Sequence, residues 1–83
     1  MDTKGETMIE IKPKTVDRFL ELISTTPDVI VFIDYNSFRY VSEKNNSTTV
    51  CVVYEPKNNK EHNSIFEYTL QNNIWLNIIK DKQ

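Results

Sequence analysis

The sequence predicts an α+β domain with a short N-terminal strand and one amphipathic helix, at about residues 15–25. The helix packs on one face of an antiparallel β-meander of four to five strands. Three observations carry that prediction. Apolar residues recur at helical spacing near the start, in Val16, Phe19, Leu20 and Ile23. From Asp28 onward, β-branched and aromatic segments alternate with clusters of turn-forming residues. At 83 residues the chain is one domain, and a domain this small buries only about 60% of the surface its unfolded chain exposes.

Residues 1–7, MDTKGET, are polar and hold the chain's single Gly, so they read as a disordered arm or leader, with the domain spanning residues 8–83. MIEIK alternates apolar and polar side chains as a short strand that Pro13 ends. Thr15 stands where a helix N-cap belongs, and Asp17 falls in the first turn, where a carboxylate suits the helix dipole. The STTP run stops this helix, because the residue before Pro27 is pushed out of the helical region.

DVIVFID is apolar on both parities and reads as a strand buried on both faces in the interior of the sheet. DYNS offers turn chemistry and FRYVSE alternates as the next strand. EKNNS turns again, before TTVCVVYE, which Pro56 ends. EPKNNKEHN then reads as a polar hairpin loop, SIFEYTL as a fourth strand of the meander, QNN as a tight turn and IWLNII as the last strand.

Composition narrows the function classes. Ten basic residues stand against twelve acidic ones, giving a net charge of −2, and no basic block is present; nucleic-acid binding is therefore disfavoured. No stretch approaches the length of a membrane span. Cys51, the only cysteine, cannot form an intrachain disulfide, which favours a reducing, cytoplasmic setting. Nine Asn, nine Ile and eight Lys beside no Ala are the residue usage of AT-rich coding DNA, compatible with a phage or mobile element.

Catalytic chemistry is not legible. His62, the only histidine, falls in the predicted polar loop and reads as solvated, without the orienting partner a general base needs. Cys51 sits among Thr, Val and Tyr on a strand, where free Cys behaves as a small apolar residue. One Cys and one His do not complete a zinc ligand set, and a single Gly excludes a phosphate-cradling loop. No catalytic, cofactor or metal residue is assigned, and no small-molecule substrate is evident.

The informative feature is a surplus of apolar surface. Strand alternation sends neighbours to opposite faces. The more apolar parity, Phe38, Tyr40, Val50, Val52, Tyr54, Phe66, Tyr68, Leu70, Ile74, Leu76 and Ile78, makes the helix-facing core. The other parity still holds Arg39, Val41, Thr49, Cys51, Val53, Ile65, Glu67, Thr69, Trp75, Asn77 and Ile79, a composition typical of interfaces. A one-residue slip in the last strand would instead send Trp75 into the core.

These features point to a non-catalytic protein-binding module, an inhibitor or regulator of a larger host protein, acting through a sheet face or edge. Its partner-binding residues are Arg39, Val53, Glu67, Trp75 and Ile79, and its partner is another protein or a second copy in a homodimer. The alternative is a single-stranded nucleic-acid platform in which Phe38, Tyr40, Trp75 and Arg39 stack and clamp bases.

Overall fold

The computed structural model describes residues 7–43 and 48–79, and over these the chain is an α+β domain. Its elements are β1 (Thr7–Ile11), α1 (Val16–Ser24), β2 (Ile30–Asp34), β3 (Ser37–Glu43), β4 (Thr48–Tyr54), α2 (Asn59–Gln71) and β5 (Trp75–Ile79). The strands form one five-stranded sheet in the order β1-β4-β3-β2-β5. The predicted arm falls on Thr7, which opens β1, and otherwise on residues outside those described, as does most of the predicted turn at EKNNS.

Thr15 caps α1 as its position predicts, its hydroxyl accepting from the Arg18 amide at 3.2 Å. At the far end the Thr26 hydroxyl donates to the Leu22 carbonyl at 2.9 Å and lies 3.3 Å from the Tyr40 hydroxyl. The stop signal thus also gives a buried phenol its polar neighbour. Phe19 and Ile23 point into the sheet, and the Phe19 ring meets Phe38, Tyr40 and Tyr54 at centroid distances of 6.4, 6.2 and 5.7 Å. Aromatic rings at such spacings stabilise by more than the area they bury.

Two expectations are corrected. Residues 59–71 form a second helix rather than a hairpin loop and a fourth meander strand. The local chemistry for it is complete: Asn58 caps the helix by accepting from the Glu61 amide at 2.9 Å. Glu61, three residues on, turns back to accept from the Lys57 amide at 2.9 Å and from the Tyr54 hydroxyl at 2.6 Å. That is the logic of a capping box, with the carboxylate reaching one residue beyond the cap. His62, Ile65, Phe66 and Thr69 then fall at i, i+3, i+4 and i+7, and Ile65 and Thr69 are fully buried. SIFEYTL fits both periods, because its two parities and its helical stripe are all partly apolar.

His62 is accordingly a packing residue. Its ring stacks on Phe66 at 5.3 Å and meets the edge of Phe38 at 5.1 Å. The QNN turn is the C-terminal cap of α2, where the Ile74 amide reaches the Thr69 carbonyl at 2.9 Å and the Asn73 amide reaches Leu70 at 3.3 Å. Asn73 occupies the left-handed region at φ 56°, which Asn tolerates better than most residues.

The second correction is to the meander. β1 pairs with β4 and β5 with β2 in parallel, while β3 is antiparallel to both β2 and β4. The chain therefore contains two crossovers. β1-α1-β2 moves from the first to the fourth place in the sheet, and β4-α2-β5 from the second to the fifth. Parallel crossovers take one hand, so two that move the same way across a sheet must lay their helices on the same face. They do: α1 and α2 touch, and both pack on Phe38. β2 is interior as expected, but with one face covered: Val31 and Ile33 are buried, whereas Ile30 is 45% exposed.

Candidate functional site

With both helices on one side, the other face of the sheet is left bare. Residues paired in register share a face, so its composition follows from the ladders. Glu10, Cys51 and Val41 form one row across β1, β4 and β3, and Ile30 and Trp75 are paired across β2 and β5. Val53, Arg39, Phe32 and Asn77 form a continuous row across β4, β3, β2 and β5. Ser37, Asp34 and Ile79 make a third. Trp75 is 76% exposed and Val41 51%, and Met8 is exposed on β1, at the opposite edge of the sheet from Trp75.

Glu10, Ser37 and Asn77 interrupt the apolar character of this face, and a charged pair, Arg39 and Asp34, lies near its middle. Arg39 lies 4.0 Å from Asp34, both side chains being 41% exposed. A pair that long and that wet contributes little to stability. It leaves a guanidinium and a carboxylate in the open for a partner, and the Ser37 hydroxyl, 3.4 Å from Glu55, edges the same end.

Of the residues expected to bind a partner, Arg39, Val53, Trp75 and Ile79 stand on this bare face. Trp75 is therefore outside the core, and the last strand keeps its expected register. Glu67 does not join them: it is exposed on α2, in the helix layer on the opposite side of the sheet. Nor do the four form one contact cluster. Val53 on β4 is three strands from β5, about 14 Å at the usual inter-strand spacing. The neighbour of Trp75 is Ile30.

Met8, Ile30 and Phe32 belong to the face and were not expected there. For Ile30 and Phe32 the only signal was the pleat itself, since the segment is apolar on both parities.

The face holds no assembled reactive group. Cys51 is a half-buried free thiol on the bare side, whereas His62 lies on α2 over the covered side, so the sheet separates them. Among the described residues no group of three or more His, Cys, Asp or Glu side chains is placed to hold a metal ion, and no helix is long and apolar enough to cross a membrane. Phe38 and Tyr40, named for base stacking, are buried at 0% and 2% exposure, so Trp75 and Arg39 are the members of that set on the surface. A scan of family models and searches of curated proteins and of solved structures find no match to this chain.

Proposed function

We propose that this chain is a protein-binding module whose working surface is the bare face of its sheet. The observation that carries the reading is the exposure of Trp75 at 76% on a face that also presents Ile30 and Val41. Contiguous exposed apolar surface of this kind marks interaction sites, and Trp and Arg are the residue types that most often anchor them. Arg39 and Asp34 supply the polar contacts that set register and orientation. Past Trp75, where α1 and α2 end, a recess lined by Ile23, Thr26, Asp28, Tyr68 and Asn72 opens at the end of the sheet and adjoins this face.

AT-rich residue usage favours a regulator or inhibitor of a larger host protein, of phage or mobile-element origin. The unpaired Cys51 supports a reducing, cytoplasmic setting. The test is a comparison of tagged wild type with Trp75→Ala and Val53→Glu in affinity capture from the source cell, beside circular dichroism melts. A protein held by wild type and lost by both folded variants supports the reading; retention by both variants removes the bare face as the working surface.

A further inference from the structure

The two edges of the sheet are unlike. β1, at one edge, carries Glu10 at the fourth of its five positions and is followed by Lys12 and Pro13. Charge and Pro are the usual protection of an edge against pairing with another chain. β5, at the other edge, reads Trp75-Leu76-Asn77-Ile78-Ile79 and has no charge and no Pro within the strand, with Lys80 and Asp81 following it in the sequence. Among the described residues it pairs with β2 alone, so its outer side presents backbone N–H and C=O groups to an incoming strand.

The order of side chains in β5 indicates which strand that is. Asn77 stands at the centre with two apolar residues on either side, so the pattern is the same read in either direction. A two-fold axis normal to the sheet, midway between Asn77 and its twin, sets β5 antiparallel to its own copy. Asn77 then faces its twin, Trp75 faces Ile79, and Leu76 faces Ile78. The axis also preserves the faces, so Trp75, Asn77 and Ile79 stay on the bare side and Leu76 and Ile78 on the helix side in both copies. Ile78, though on the helix side, is 56% exposed, and the copy's Leu76 would cover it. Aromatic and β-branched residues directly opposite each other stabilise antiparallel pairs, and no like charges meet.

We propose that this protein forms a homodimer by antiparallel pairing of β5 with β5 of a second copy. The product is one continuous sheet with all helices on one face and two bare faces merged on the other. Each copy's Trp75 then stands beside the seam, which enlarges the docking surface proposed above. The edge pairing itself does not depend on that surface. A five-residue edge gives less contact than a standard interface, so the dimer is weak and its share rises with protein concentration.

Because Asn77 meets its twin, Asn77→Lys puts two ammonium groups opposite each other and Asn77→Asp two carboxylates, while a mixture of the two variants puts opposite charges together. Sedimentation equilibrium of wild type should show the mass rise from 9.8 kDa toward twice that value. Each Asn77 variant alone should stay at the monomer mass with an unchanged circular dichroism spectrum, and the equimolar mixture should regain the dimer. A wild type that stays monomeric throughout overturns the proposal, as does a dimer that survives in Asn77→Lys. Val53→Glu, on the bare face three strands away, should dimerise as wild type does; loss of the dimer there would move the contact to the face and overturn the edge pairing. Docking can fail in Val53→Glu with the dimer intact, so the two readings fail separately.

Discussion

The two faces of the sheet are built from the same strands, yet they meet opposite fates. On one, Val31, Phe38, Tyr40, Val52 and Tyr54 are at most 4% exposed under two helices. On the other, Ile30, Val41 and Trp75 are 45%, 51% and 76% exposed. Residues adjacent in sequence, such as Tyr40 and Val41, differ only in the direction the pleat sends them. The more apolar parity takes the core, and the hand and direction of the two crossovers leave the other face bare, by delivering both helices to the same side.

The largest test of that contrast is a truncation on the covered side. Phe19→Ala removes a ring that touches three others and is fully buried, and should cost about 3–5 kcal/mol. For a domain this small that approaches the whole stability, so urea denaturation should find it unfolded or nearly so.

Loosening the cover at its edge should cost less. Asn58→Ala removes the cap of α2 and should lower stability by about 1 kcal/mol, read as a lower urea midpoint at an unchanged slope.

The same corner gives the covered face a pH dependence. Burial, then the hydrogen bond and negative charge of Glu61, push Tyr54 up to about 12 from 10.0. The folded state therefore keeps a proton the unfolded chain has released. Stability is intact below about pH 10 and is lost as the pH rises toward 12. Glu61 behaves in the opposite sense: the Lys57 amide, then the Tyr54 hydroxyl, hold its carboxyl below its ordinary 4.5. Its contribution is present above that value and lost as the pH falls through the acid range. Tyr54→Phe should flatten the alkaline loss, as melts across the pH range would show.

The smallest expected effect on stability lies on the bare face. Trp75→Ala removes the largest side chain in the sequence from a position that is mostly solvated, and the melt should stay within the roughly 0.5 kcal/mol usual for surface changes. Binding to a partner should fall by about 2 kcal/mol or more, measurable by calorimetry once the partner is in hand. A collapse of stability instead would make Trp75 a packing residue and erase the contrast between the faces.

Local rules determined much of this protein. Thr15 and the spacing of Val16, Phe19, Leu20 and Ile23 specified α1, because capping and a helical stripe act within one turn or two. Alternation placed Arg39, Val41, Val53, Trp75 and Ile79 on one side and Phe38, Tyr40, Val52 and Tyr54 on the other, because the pleat has a period of two in any sheet. Local rules also contained α2, in Asn58, Glu61 and the run from His62 to Thr69. They could not exclude a strand there, since alternation and helical spacing coexist in the same residues. Only the tertiary structure decided between them, by giving Ile65 and Thr69 a core to enter. It alone decided that Glu67 leaves the bare face, that β1 and β5 pair in parallel at opposite edges, and that one face stays open. Those outcomes depend on which strands meet across the chain, and no local pattern of side chains encodes a partner that distant.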